Sequence, residues 1–221
     1  MTSVLFFLVG ALCSWPMQHL IVRLPAEILE TPSPATEPPP IHLRLALLNG
    51  LMWGACAWHW PTPDTALCWS VFASTLLTLS IIDWQTTLLP DALTQPLLWL
   101  GLLASATQHT ALALEQSVWG AVAGYGALWL VATLFRRITG KEGMGAGDFK
   151  LLAALGAWLG PWALLPLVFL ASMVGAVVGL WLQSRQRLHH GAYVPFGPFL
   201  AAAGMVLAVT GHAFLIDLIT H

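Results

Sequence analysis

The sequence predicts an all-α fold, a polytopic transmembrane bundle of about eight spanning helices. Three observations carry that expectation. Hydrophobic residues make up 57% of the 221 and charged residues only 8%, where ordinary soluble domains carry roughly a quarter charged. Long apolar runs recur from one end of the chain to the other. Twelve tryptophans supply indoles for the water–lipid boundary. The lipid bilayer is therefore the expected main solvent, and one integral membrane domain over residues 1–221 is the simplest organisation.

A spanning helix needs about 20 mostly apolar residues. That requirement picks out segments near 4–22, 43–60, 65–82, 93–108, 117–135, 149–160, 162–182 and 196–217. No basic residue precedes the first segment and no clear small-x-small cleavage site follows it, so it reads as a spanning helix rather than a removed signal. After it comes E-I-L-E-T-P-S-P-A-T-E-P-P-P, residues 27–40, too rich in proline for a continuous helix and expected to be an extended linker. Residues 1–42 thus comprise one helix and a short loop. Segment 149–160 is short for a bilayer unless its helix starts at Asp148, and Gly160-Pro161 makes a turn behind it.

Basic residues set the expected direction of insertion, because Lys and Arg near helix ends collect on the cytoplasmic side. Arg23, Arg44, Arg136, Arg137, Lys141, Lys150, Arg185 and Arg187 all follow odd-numbered segments. The opposite loops and the two termini carry Asp64, Glu115 and Asp217 but neither Lys nor Arg. Both termini are therefore expected in the periplasm.

Composition also removes several function classes. A formal net charge of -2 offers no polycationic surface, so nucleic acid is not an expected partner. Cys13, Cys56 and Cys68 lie inside apolar segments without C-x-x-C spacing and read as small buried residues, not as a metal site or a disulfide framework. No H-E-x-x-H is present, and Ser70, Ser80 and Ser172 lack an evident His or Lys partner at the same depth. His189-His190 beside Arg185 and Arg187 reads as a solvated basic loop. Trp84, Trp99 and Trp158 are expected as interfacial anchors.

Two loops on the basic side carry the chemistry. In I-I-D-W-Q-T-T-L-L-P-D-A-L-T, residues 81–94, Asp83 ends a long apolar run and Asp91 follows a proline. Carboxylates beside hydrocarbon are costly and demand a reason. For Asp91 a helix cap suffices. Asp83 has no such reason, since it stands at the negative end of its own helix dipole. In G-K-E-G-M-G-A-G-D-F-K-L-L, residues 140–152, glycines including Gly145 and Gly147 lead into Asp148 and permit close backbone approach. Lys141, Glu142 and Lys150 read as loop electrostatics. A phosphate loop is disfavoured, because no strand precedes the glycines and G-x-x-x-x-G-K-[ST] is absent. Two carboxylates sharing a lipid-shielded site tend to keep one proton between them. One can then take a proton from water while the other donates to a scissile carbonyl, with no metal and no covalent adduct. A transporter or channel using Asp83 and Asp148 for protons or cations is the alternative. Placement near the helix ends rather than at mid-membrane, and the absence of an internal repeat, count against it.

These loops, with the extended K-E-G-M-G-A-G-D-F-K-L-L-A-A-L-G-A-W-L-G and the late P-F-G-P-F-L, resemble the type IV prepilin peptidases among the G-x-G-D membrane aspartyl proteases. The resemblance runs from about Leu76 to Leu200, within a peptidase core taken as 65–200. It implies that Asp83 and Asp148 form the catalytic pair. It also implies cleavage at the cytoplasmic face of the bacterial inner membrane, on prepilins or type II secretion pseudopilins, between a short basic leader and the hydrophobic helix. Near the amino end S-W-P-M-Q-H-L-I-V-R-L-P follows the family pattern only at Arg23, Leu24 and Pro25, with Ser14 at its glycine and Gln18 at its asparagine. The first cytoplasmic loop has none of the cysteines that bind zinc in many relatives, so the chain resembles a short form with no metal expected. The resemblance makes S-adenosylmethionine a cofactor only if the methyltransferase activity of the family is retained. The missing cysteines and Gln18 lead us to expect that activity to be lost or weakened.

Overall fold

A computed structural model of the chain describes residues 2–30, 42–141, 144–185 and 194–211, and all regular structure among them is helical. The linker residues 31–41, Glu142, Gly143, Arg187, His189, His190 and Asp217 lie outside the described residues. In chain order the helices are α1 (Thr2–Ile28), α2 (Leu43–His59), α3 (Pro63–Thr86), α4 (Asp91–Ala106), α5 (Leu114–Thr139), α6 (Ala146–Leu159), α7 (Pro161–Ser184) and α8 (Gly197–Thr210). Four of them, α1, α3, α5 and α7, are long and apolar enough to cross a bilayer. The other four have 14 to 17 described residues. Packing divides the chain into two units, Met1–Ile82 and Asp83–His221, with α3 continuous through the boundary.

In the first unit α1 lies against α2. A Cβ on Gly10 would meet the Trp53 ring at 2.6 Å, so the indole occupies the space that a side chain would fill. Polar groups here satisfy one another. Asn49 Nδ2 donates to the Gly10 carbonyl at 2.7 Å, Ser74 Oγ to Asn49 Oδ1 at 2.8 Å and Trp53 Nε1 to Ser74 Oγ at 2.7 Å. Such interhelical bonds suit apolar surroundings, where an unpaired polar group has no water to turn to. Ser70 and Ser80 donate back to carbonyls four residues earlier on their own helix, the ordinary bond of a helical serine. Of the cysteines only Cys56 is buried; Cys13 and Cys68 are half-buried.

The second unit is built around α6, in which Asp148, Phe149 and every residue from Leu151 to Leu159 are buried. A helix apolar on every face belongs inside other helices, and α4, α5, α7 and α8 all touch it. Small residues make that possible. At the α5–α6 crossing Gly120 and Gly156 bring backbone against backbone, so that a Cβ on either would overlap the carbonyl oxygen of the other. One turn on, a Cβ at Gly124 would lie 2.5 Å from the Leu152 carbonyl oxygen. Glycines spaced by four residues let helices approach closely where burial from water supplies no force. Ser117 Oγ donates across the same seam to the Ala157 carbonyl at 2.5 Å.

Trp158 corrects one expectation. Trp84 and Trp99 are 52% and 61% exposed, as anchors would be, but Trp158 is 1% exposed. Its Nε1 donates to the Leu97 carbonyl at 2.8 Å, and its ring fills the space that a side chain at Gly101 would take. A buried indole needs a partner for its N–H, and α4 provides one.

Candidate active site

The end of α3 and the starts of α6 and α8 form the site. α3 runs four residues beyond the expected segment, which places Asp83 in its last turn. Thr87 N donates to the Asp83 carbonyl at 2.8 Å, and the chain leaves the helix through Thr87 at φ 55°. α6 begins at Ala146 with Gly145 before it, so Gly147 and Asp148 belong to its first turn rather than to a loop. Asp148 N donates to the Gly145 carbonyl at 3.2 Å. Both carboxylates are buried, Asp83 to 4% and Asp148 to 6% exposure, and both line one cleft of about 240 Å³. Thr87, Leu88, Leu89, Gly145, Gly147 and Phe196 contribute to its walls. The sequence placed the two aspartates in separate segments, and the fold brings them to one cavity.

The cost of Asp83 at the C-terminal end of its own helix is met from elsewhere. Gly197 N, at the first residue of α8, donates to Asp83 Oδ2 at 2.9 Å. The carboxylate therefore faces the positive end of a second helix dipole, the ordinary place for an anion. Only glycine fits there, because a Cβ on Gly197 would stand 2.6 Å from Asp83 Oδ2. Sequence reasoning assigned Gly197 no role, although it lies in the P-F-G-P-F-L segment that carried part of the resemblance.

Asp148 stands outside the four long apolar helices. Burial pushes its carboxyl up to about 7, the negative charge of Asp83 adds to that push, and a backbone hydrogen bond from Gly145 opposes it. The pair thus has the electrostatics expected of carboxylates sharing one proton near neutral pH.

The glycines divide their tasks. Gly147 serves close approach, since its Cβ would meet Leu89 Cβ at 2.7 Å. Gly145 sits at φ -74°, open to any residue, while the left-handed turn of this segment falls on Gly140 at φ 69°, capping α5. The cap expected at Asp91 is corrected. Pro90 occupies the cap position of α4 and no side chain caps it, so Asp91 is already the first helical residue. Its two carboxylate oxygens instead accept from Lys150 Nζ at 2.6 and 2.7 Å, joining α4 to α6 at the rim of the cleft.

A model of the type IV leader peptidase family matches residues 70–180, just over half of the chain and inclusive of both aspartates. A prepilin leader peptidase/N-methyltransferase of Stutzerimonas stutzeri is 50% identical over 166 residues, 75% of this chain and 57% of that protein. Proteins of the same description from Pseudomonas aeruginosa and Neisseria gonorrhoeae are 46% and 40% identical, covering 78% and 74% of this chain and 58% and 55% of theirs. The chain thus spans somewhat over half the length of the curated relatives it matches. No solved structure matches it. With the family model covering the segment that holds Asp83, the glycine-rich turn and Asp148, the chain belongs to the type IV leader peptidase family.

Proposed function

We propose that this protein is a membrane aspartic endopeptidase that removes the basic leader from type IV prepilins or type II secretion pseudopilins at the cytoplasmic face of the bacterial inner membrane. The observation that carries this reading is the burial of Asp83 and Asp148 in one cleft, with the α8 N-terminus aimed at the first. The collection of basic residues beside odd-numbered segments supports the cytoplasmic orientation.

In the reaction Asp83, held by the Gly197 N–H, is the charged member and Asp148 carries the proton. A water placed between them loses its proton to Asp83 as its oxygen attacks the scissile carbonyl, and Asp148 donates its proton to the carbonyl oxygen. The tetrahedral species then breaks at the C–N bond. As it does, Asp83 returns a proton to the leaving amine and Asp148 recovers its own from a hydroxyl of the collapsing tetrahedral carbon, giving the carboxylic acid and leaving both groups as they began.

The test is reconstitution of the purified chain in detergent with prepilin substrates. Leader removal is expected from the natural sequence and not from Asp83→Asn; undiminished cleavage by that variant sinks the dyad. Gly197→Ala is expected to retain the helical fold and to lose activity on the order of 100-fold, because its methyl displaces the Asp83 carboxylate. Activity within a few-fold of the natural chain would show that the α8 contact does not position the base.

Methyl transfer to the new amino terminus would draw on S-adenosylmethionine, a sulfonium cation that aromatic faces or carboxylates recognise. The buried polar side chains described in the first unit, Ser14, Gln18, Asn49, Ser70 and Thr78, are all uncharged. Asn49 is committed to the Trp53–Ser74 network, and Ser14, Ser70 and Thr78 donate to carbonyls of their own helices. The missing cysteines of the first loop, and Gln18 where the family pattern has asparagine, support reading the chain as a peptidase with methyl transfer lost or weakened. Mass spectrometry of the cleaved substrate, with S-adenosylmethionine present, is expected to find no gain of about 14 Da. A stoichiometric gain of that size overturns the reading.

A further inference from the structure

Lys150 sits two residues beyond Asp148 on α6, and both line the cleft that contains Asp83. Among the described residues its ammonium nevertheless makes its short contacts with Asp91 alone, through both carboxylate oxygens. As a brace between α4 and α6 such a pair achieves little. Asp91 is 61% exposed and Lys150 28%, and pairs open to water contribute little to stability. What the pair does change is where a mobile cation rests. A lysine ammonium on its four-carbon stem is a compact charge with wide reach, and a position on the rim of an acidic cleft offers it two competing partners.

From this geometry we infer that Asp91 is a positioning residue: by holding the Lys150 ammonium at the rim of the cleft, it leaves Asp148 free to carry the proton that hydrolysis uses, a role that rests on the dyad proposed above. Without Asp91, the anions that remain in the lining of the cavity are Asp148 and Asp83. An ammonium that settles beside Asp148 favours its ionised form, removes the shared proton and leaves the pair without an acid.

The other charged groups around the site do not duplicate this. α3 presents Asp83, α4 only Asp91, and α6 only Asp148 and Lys150. α7 and the described part of α8 carry no charged side chain, and α8 contributes the Gly197 N–H. On α5, Glu115 lies in the first turn and Arg136 and Arg137 in the last, with Arg136 beside Trp129 and Phe149 in an adjoining cleft that meets this one at Gly145 and Ala146. Tyr125 of α5 meets Phe149 edge-on.

The experiment is an infrared pH titration of the purified chain, following the protonated carboxyl stretch that Asp148→Asn removes. In the Asp91→Asn variant the midpoint of that band is expected to fall by at least about one unit, the effect of an opposite charge brought within contact range. Adding Lys150→Met to Asp91→Asn is expected to restore the midpoint, since the cation is then gone, and Asp91→Glu is expected to preserve it. A midpoint unmoved in Asp91→Asn, or one that stays low in the double variant, overturns the inference. Because the readout is a proton on a carboxyl, it stands apart from cleavage. A chain that titrates as described yet never cuts a prepilin loses the peptidase reading instead.

Discussion

Asp148→Asn is expected to lower leader removal by at least about three orders of magnitude, and at the same time to make the protein harder to unfold above neutral pH. The two outcomes have one cause. An amide has the shape of the acid but holds no transferable proton, so the carbonyl oxygen of the substrate receives nothing as water attacks. In the natural chain the folded state holds the Asp148 proton up to about pH 7, chiefly through burial and secondarily through the charge of Asp83, whereas the free side chain releases it near 3.8. The folded form therefore binds the proton more tightly than the unfolded form. By linkage, stability falls as pH rises between those two values, and the full penalty stands above about 7. Asparagine does not titrate and escapes that penalty. Unfolding in detergent at about pH 5 and about pH 8 should give the variant a relative advantage that grows with pH, on the order of 1–3 kcal/mol at the higher value. A difference from the natural chain that does not change with pH would refute the burial of an ionising group. Catalysis by the natural chain should fall as pH rises through about 7, where the pair loses its shared proton.

The candidate pair stood out in the sequence because a carboxylate beside hydrocarbon has few excuses. Asp83 ended a helix against its own dipole, and Asp148 followed a glycine run that no strand preceded. Neither the α8 contact nor the rim pair could be read in the same way. Gly197 reaches Asp83 across 114 residues and Lys150 reaches Asp91 across 59, and nothing local in either segment points at the other. Asp91 looked like a cap because a carboxylate after a proline at a helix start usually is one, yet Pro90 had already taken the cap position. Trp158 shows where an apolar pattern stops being informative. Beyond its first turn α6 is as apolar around its circumference as α7, but α6 is buried from Leu151 to Leu159 whereas α7 leaves Trp162, Leu165, Val177 and Leu180 more than half exposed. In a membrane, lipid-facing and protein-facing sides look alike in composition. The shortness of α6 was the usable sign, since 14 residues rise only about 21 Å, against the roughly 30 Å of a bilayer core.

Gly156→Val is expected to prevent stable folding of the second unit. The added atoms have nowhere to go, because the carbonyl of Gly120 already occupies the position of a Cβ. A flexible side chain in that place would rotate away; a backbone carbonyl moves only with its helix. Separating α5 from α6 would also break the Ser117 bond to Ala157 and open the packing at Gly124 against Leu152. Overpacking against mobile neighbours costs about 1–3 kcal/mol, and opposition by backbone on both helices should exceed that range, a large share of the 5–15 kcal/mol by which domains are ordinarily stable. Gly120→Ala, on the other side of the same contact, should behave alike. Gly126 provides the control on the same helix, with open space where a Cβ would stand. Gly126→Ala should be neutral or stabilising by up to about 1 kcal/mol through helix propensity alone. Thermal unfolding in detergent separates these cases. If Gly120→Ala and Gly126→Ala melt together, the two helices do not meet backbone to backbone. The scaffold that carries Asp148 to Asp83 would then need another explanation, because the start of α6 is placed by the same crossing that seats its middle.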